Sequence, residues 1–231
     1  WMPMDKWDKC AFPVDPEALE GRPCYAGLDL SSTQDLTALV LVFPPADPSE
    51  PYQILPFAWI PEETIIQRSR RDHVNYDLWQ RQGTVLSTPG NVVDYEAIEQ
   101  MILALADRYQ IRELAFDPWN SQMLVNRLAN EGMTIVPFRQ GFASMSPPTK
   151  ELMKLTLEGR IAHGGHPVLR WCMDNIVVQI DPADNIKISK AKAVEKVDLA
   201  VALVMALDRA VRHETDTTAE SVYEGRGLLY V

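Results

Sequence analysis

The stretch Tyr25-Ala26-Gly27-Leu28-Asp29-Leu30-Ser31-Ser32-Thr33-Gln34-Asp35 runs directly into Leu36-Thr37-Ala38-Leu39-Val40-Leu41-Val42-Phe43. The pattern is an apolar strand carrying one carboxylate, a tight polar turn carrying a second, and an apolar return strand. An unpaired charge on a buried strand is costly, so Asp29 calls for a reason beyond solubility. An Asx-type turn through Ser31-Ser32-Thr33 is one reason. A metal-dependent phosphoryl-transfer site is the other, provided that the rest of the chain supplies further oxygen ligands.

Outward from this hairpin, Pro44-Pro45 ends the second strand, and a third apolar run at 52–60 tolerates Pro56 as a largely buried strand. Strands at 24–30, 36–43 and 52–60 joined by short connections make an antiparallel meander. Pro61-Glu62-Glu63 then opens a helical stretch, with breaks, to residue 82. A short strand at 84–87 follows. Asp94 caps a helix at 95–109, whose Ile98, Met101, Ile102 and Leu105 share one face. A strand at 111–116 ends at Asp117, Asn120 caps a helix at 121–131, and 133–138 is another strand. Residues 139–148 read as a loop and 149–158 as a helix. His163-Gly164-Gly165-His166-Pro167 is a turn before a helix at 168–174, and 176–180 with 186–188 form a hairpin. The last helix spans 197–211, and the polar composition beyond 213 points to disorder. This order predicts an α/β fold with an RNase H-like mixed sheet, an antiparallel three-strand meander plus parallel strands, flanked by helices. Residues 1–22 read as an arm or linker, 23–212 as the folded domain and 213–231 as a tail.

Of the 231 residues, 46% are hydrophobic and 23% charged, enough for one sizeable core. No apolar run approaches the roughly 20 residues that span a bilayer. The first residues are too polar for a signal peptide, and position 1 is Trp, as in a piece cut from a longer chain. Cys10, Cys24 and Cys172 have no CxxC spacing. That speaks against zinc or a disulfide framework and suits a reducing, intracellular location. The formal net charge of −10 argues against broad phosphate neutralisation by a basic surface. Either the protein has no nucleic-acid partner, or contact is local, with metal ions offsetting a carboxylate cluster.

Three carboxylates sit at matched places in the predicted order. Asp29 is near the end of the first strand, Asp117 at the C-terminal end of a parallel strand, and Asp198 in the opening turn of the last helix. Sites in open α/β sheets gather outside strand C-termini, and a helix packed beside the first strand can bring its N-terminal turn to that edge. Such hard oxygen ligands select Mg²⁺ or Mn²⁺. Two ions about 3.5–4 Å apart can serve phosphodiester hydrolysis without a protein nucleophile. Arg139, Lys190, Lys192 and Lys196 lie in segments near this site and read either as groups that meet phosphates or the attacking water, or as solvated surface charge. Arg68, Arg70 and Arg71 read as an exposed basic helix face. His163 and His166 lack the cysteines a zinc site would add.

These residues, in this order, carry a family resemblance. Gly27-Leu28-Asp29-Leu30-Ser31-Ser32-Thr33 with Asp35-Leu36-Thr37-Ala38, then Thr88-Pro89-Gly90-Asn91-Val92-Val93-Asp94-Tyr95, begin the set. Asp117-Pro118-Trp119-Asn120, Arg139-Gln140-Gly141, His163-Gly164-Gly165 with Pro167-Val168-Leu169-Arg170-Trp171, and Lys196-Val197-Asp198 complete it. Over residues 24–212 the chain resembles the C-terminal nuclease domain of tailed-bacteriophage terminase large subunits. The resemblance implies a Mg²⁺- or Mn²⁺-dependent endonuclease cutting concatemeric viral DNA, with Asp29, Asp117 and Asp198 as catalytic metal ligands. It implies that Asp35 holds a second metal, directly or through water. Its implied partners are double-stranded DNA, a portal protein, a small terminase subunit and an ATPase domain, in the host cell cytoplasm. The sequence contains no phosphate loop, so no ATP is expected here. Asp198 is followed by Leu199 where the family often has Gly, which affects packing rather than metal binding. Two other readings of the opening hairpin are a phosphotransferase like sugar kinases or actin, and a non-catalytic docking module of the same fold.

Overall fold

The structure, a computed structural model, describes residues 1–30, 36–118, 122–193 and 195–224, with side chains described as far as residue 213. The opening hairpin and its successor form the expected meander of β1 (Pro23–Asp29), β2 (Thr37–Phe43) and β3 (Tyr52–Pro61). β1 and β2 pair antiparallel with Gly27 opposite Val40 and Asp29 opposite Ala38, and β2 pairs antiparallel with β3. Four shorter or later strands complete a seven-stranded mixed sheet: β4 (Leu86–Thr88), β5 (Gln110–Phe116), β6 (Ile135–Pro137) and β7 (Ile161–Ala162). The order is β4-β3-β2-β1-β5-β6, with β7 joining β3. β5 runs parallel to β1, Leu28 beside Phe116, and β6 runs parallel to β5. A separate hairpin pairs β8 (Val178–Ile180) with β9 (Ile186–Ile188).

The helices are α1 (Met4–Trp7), α2 (Ile65–Asp72), α3 (Tyr76–Arg81), α4 (Tyr95–Arg108), α5 (Gln122–Asn130), α6 (Phe142–Leu157), α7 (Pro167–Asp174) and α8 (Asp198–Glu224). Every residue of β2 is buried because both faces of the sheet are covered. Strand alternation sends Ala38, Val40 and Val42 to the layer of α6, α7 and α8, while Leu39, Leu41 and Phe43 join α4 and α5.

One close approach places the site. A Cβ on Gly27 would stand 2.1 Å from the Ala202 carbonyl oxygen and 2.8 Å from the Ala206 nitrogen. The missing side chain therefore lets α8 lie directly on β1. Asp29, two residues further along β1, shares that face. Asp198 lies four residues, about one turn, before Ala202. The Gly27 contact thus sets the register of the last helix against the first strand. Farther along α8, Arg209 bonds Glu113 of β5, and the His213 ring stacks on Tyr25 with centroids 5.1 Å apart.

The N-terminal arm packs onto this body. Trp7 is fully buried and stacks on His163 at 4.2 Å, and Asp8 takes both guanidinium bonds of Arg170, at 2.7 and 2.9 Å. His163 donates from Nε2 to the Trp7 carbonyl, and its Nδ1 accepts the Gly165 amide. Both ring nitrogens are thus committed to the backbone, and the ring is neutral.

Two expectations are corrected. Residues 142–148, read as loop, are the first turns of α6 despite Pro147 and Pro148. Each interior Pro costs roughly 3 kcal/mol, but Met145, Pro148, Thr149 and Leu152 bury one helical face there, and tertiary burial wins. Residues 213–219, read as disordered from their polarity, continue α8, which reaches Glu224. No Gly or Pro interrupts the chain between 198 and 224, so nothing in the backbone stops the helix. The cap expected at Asn120 lies outside the described residues.

Candidate metal centre and its cleft

Asp29 closes β1 with 2% of its surface exposed. Its Oδ1 accepts from Lys190 Nζ at 2.7 Å and from Gln140 Nε2 at 3.4 Å. Its Oδ2 is buried and has no hydrogen-bond donor among the described residues. Asp117 follows Phe116, the last residue of β5, and Phe116 lies beside Leu28 in the parallel β1–β5 ladder. The two carboxylates therefore leave the sheet at adjacent strand ends, and the Asp117 charge acts on Asp29. Asp198 opens α8 on the same face of the sheet, held there by the Gly27 contact.

Lys190, just beyond β9, reports the convergence. Burial works against its ammonium, but Asp29, Asp198 and Asp117 together overcome that and raise its pKa. Burial is also the main reason why the Asp29 carboxyl is raised; Lys190 and Gln140 draw it back, and Asp117 adds to the rise. Asp29 is raised chiefly because water is scarce around it, and Lys190 because negative charge is crowded around its ammonium. Cys172, buried beneath, is pushed up by burial and then by Asp198 and Asp29.

This donor set fits a hard divalent cation. It is all oxygen, its crowding is relieved by positive charge, and a buried carboxylate oxygen of Asp29 has no donor among the described residues. As the side chains stand, no group of three or more His, Cys, Asp or Glu among the described residues is poised to hold an ion unaided. The Lys190 ammonium instead supplies the positive charge at Asp29 Oδ1.

Two cavities flank the carboxylates. One, of about 510 Å³, is lined by Asp198, Lys190, Lys196, Glu195, Arg71 and Asp72. The other, of about 530 Å³, is lined by Asp117, Arg139 and Gln140. Asp29 is touched from both sides, by Lys190 from the first and by Gln140 from the second. The structure thus brings together Asp29, Asp117, Asp198, Lys190, Lys196 and Arg139. Lys192 is exposed in the same segment, its backbone N–H donating to Ser189 Oγ, and it is not part of either wall. Asp35 lies outside the described residues.

Three site residues escaped the sequence reading. Gln140 was visible only as a neighbour of Arg139, and its bond to Asp29 spans 111 positions. Arg71 and Asp72 were hidden in the basic run of α2. The exposed face expected for that run is wrong at Arg68, which is only 3% exposed. Its guanidinium lies 5.6 Å from the Tyr76 ring centre and 3.6 Å from Asp72.

Residues 1–214 match the family model described as the terminase large subunit, endonuclease domain. The large terminase subunit of Enterobacteria phage HK97 is 37% identical over 207 residues, 88% of this chain and 40% of that protein. Protein YmfN of Escherichia coli K12 is 30% identical over 231 residues, 96% of this chain and 51% of its own length. The chain thus spans about half, or less, of these curated relatives. The crystal structure of the HK97 large terminase superposes with a TM-score of 0.81 at 36% identity, over 90% of this chain and 43% of that one. The magnesium-bound large terminase nuclease of thermophilic phage G20c superposes with a TM-score of 0.54 at 13% identity, over 82% of this chain and 84% of that one, a likeness of fold. The expected mixed sheet, with its antiparallel meander and parallel strands, is the sheet these nuclease structures share.

Proposed function

The chain belongs to the family of terminase large-subunit endonuclease domains, and on that premise we propose that it is a Mg²⁺- or Mn²⁺-dependent DNA endonuclease cutting concatemeric viral DNA during packaging. The observation that carries the proposal is Asp29: a buried carboxylate with one oxygen lacking any donor among the described residues, beside Asp117 and Asp198 at one sheet edge. In this reading Asp29, Asp117 and Asp198 hold the metal, and Asp35 assists at a second ion. Two such ions, when bound, supply charge stabilisation and a more acidic water for phosphodiester hydrolysis. Gln140 and Lys190 orient Asp29, and Lys190 counters the charge of the cluster until a cation takes that role. Arg139, Lys190 and Lys196 meet DNA phosphates on either side of the scissile bond, and Lys192, exposed outside both walls, meets a phosphate farther along the strand. The wider partners in this reading are the portal protein, the small terminase subunit and an ATPase domain, in the host cytoplasm.

The test is supercoiled plasmid incubated with the protein in Mn²⁺, Mg²⁺ or a chelator. Nicking and linearisation are expected with Mn²⁺, more weakly with Mg²⁺, and not with chelator. Asp29→Asn, Asp117→Asn and Asp198→Asn should each reduce cutting at least about a hundredfold, with the circular dichroism spectrum retained. Full cutting by any one variant removes that residue from the site, and metal-independent cutting overturns the whole reading.

A further inference from the structure

The carboxylates lie between two cavities, and the DNA contacts proposed so far use Lys190 and Lys196 in one and Arg139 in the other, which leaves α2 unassigned. Arg139 and Gln140 line the cavity beside Asp117. The cavity beside Asp198 is bounded on its far side by the last turn of α2, through Arg71 and Asp72. We infer that α2 forms the second wall of the DNA cleft and that Arg71 contacts a backbone phosphate there, so that one strand crosses Asp29 between Arg139 and Arg71. This inference rests on the nuclease reading and adds a substrate contact to it.

Three observations carry it. First, Arg71 is the outward-facing member of the pair, its side chain 59% exposed, whereas Asp72 is 10% exposed. Its guanidinium is therefore at the mouth of the cavity. Second, the carboxylate that now holds Arg71 can release it. Asp72 accepts from Arg71 Nε and Nη2, but it also faces the Arg68 guanidinium and feels the Lys196 charge. Transfer of Arg71 to a phosphate leaves Asp72 still compensated by Arg68 and Lys196. Third, α2 is anchored at this place. Arg68 is buried against Tyr76 and keeps its ion pair to Asp72, one turn along the same helix, whatever Arg71 does. An exposed fork of donors on an anchored helix is suited to phosphate, which a guanidinium can bind through two bonds.

The cleft then has a direction. Lys190 and Lys196 flank Asp198 on the Arg71 side, and Arg139 flanks Asp117 on the other. The scissile phosphate belongs at Asp29, which groups from both walls touch. Phosphates on its two sides meet cations from different elements, α2 and the segment before α8 on one side, the β6–α6 connection on the other. Such contacts fix register without reading sequence.

The experiment compares the wild-type chain with Arg71→Ala, Arg71→Lys and Arg70→Ala. Arg70 is exposed on the same helix but lines neither cavity. Initial rates of plasmid cutting with Mn²⁺ are measured against DNA concentration at several salt concentrations. Duplex affinity is read in parallel by fluorescence anisotropy, and melting temperatures check folding. Arg71→Ala should raise KM about tenfold at low salt with kcat within about twofold, the effect of one charged hydrogen-bonding partner. Its plot of log affinity against log salt should be shallower by about one ion. Arg71→Lys should recover most of the KM and the salt slope, and Arg70→Ala should match the wild type. If the wild type cuts and Arg71→Ala keeps its KM and salt slope, the inference is overturned. A fall in kcat alone overturns it too. If the wild type binds DNA but never cuts, the nuclease reading fails instead, and loss of affinity in Arg71→Ala still supports the phosphate contact.

Discussion

Replacing Gly27 with Ala tests the joint on which the site depends. The added Cβ would come within 2.1 Å of the Ala202 carbonyl oxygen, 2.8 Å of the Ala206 nitrogen and 3.0 Å of the Ala202 carbonyl carbon. Cβ atoms essentially never approach such atoms within 3.0 Å, and all three obstacles are backbone, so no side chain can turn away. Helix α8 would have to lift from β1 by about 1 Å, with loss of close packing along the strand. Overpacking of this kind costs about 1–3 kcal/mol, and a fully buried backbone contact belongs at the upper end. Ala restricts the unfolded chain more than Gly does, which returns about 0.4–1 kcal/mol. The net expectation is a loss of about 2 kcal/mol, read as a lower urea midpoint by tryptophan fluorescence. The sharper expectation concerns Asp198. It rides at the start of the displaced helix, and a misplacement of about 1 Å can cost on the order of a hundredfold in rate. Mn²⁺-dependent nicking by the folded variant, well below its urea midpoint, should fall by that order. An unchanged midpoint would refute the packing argument. A lowered midpoint with nicking within about twofold of wild type would refute the claim that this contact registers Asp198 against Asp29.

Two further expectations follow from buried titrating groups. Burial lowers the pKa of His166 to about 4, although the Thr84 backbone opposes the shift, and its Nδ1 accepts the Leu169 amide as the cap of α7. The unfolded chain takes this proton near pH 6.5 and the folded chain resists it, so stability is complete above about pH 6.5 and falls as pH drops toward 4, by at most about 3 kcal/mol. His166→Asn keeps a capping acceptor and should flatten this decline in urea midpoints between pH 7 and pH 4.5; parallel curves for the two proteins would count against it. Cys10, Cys24 and Cys172 are all buried, and burial raises each thiol, Cys24 to about 12. The native protein should resist a thiolate-specific disulfide reagent at pH 8 and take up three equivalents once unfolded, and rapid labelling of the native protein would show that these sites open readily.

Local pattern made the meander legible. Apolar runs broken by Asp29, by Pro44-Pro45 and by the loop before Tyr52 define three strands whose order needs no distant information. Asp117 was legible as the end of a buried parallel strand, and Asp198 as the acid opening an apolar helix. The residues that tie these acids together were not legible, because each acts across the chain. Lys190 meets Asp29 across 161 positions. Gly27 stands in the opening motif, but its close partners on α8 lie 175 and 179 positions away. Arg68 read as exposed because neighbouring arginines are solvated, whereas the Tyr76 ring and Asp72 give its guanidinium a place inside. At Pro147-Pro148 and beyond His213 the error was of another kind. Propensity and polarity were allowed to decide where tertiary burial and an unbroken backbone decided otherwise.

The overall charge of −10 opposes the polyanionic substrate of the proposed function, and the resolution is local. Charges on the far surface are screened beyond roughly 8 Å at physiological salt. In the proposed function a strand in the cleft would meet the set at its walls, Arg71, Lys190 and Lys196 on one side and Arg139 on the other. At the centre stand carboxylates that would repel a phosphate outright. Burial and crowding already make Asp29 hold protons more tightly than an ordinary carboxylate. A cation between acid and phosphate would relieve both the crowding of the acids and their repulsion of the phosphate. In the proposed function, cation and DNA are mutually dependent ligands of one site. Few wall cations mean that this domain alone grips DNA weakly, and occupancy of the carboxylates decides whether the phosphate at Asp29 is tolerated at all.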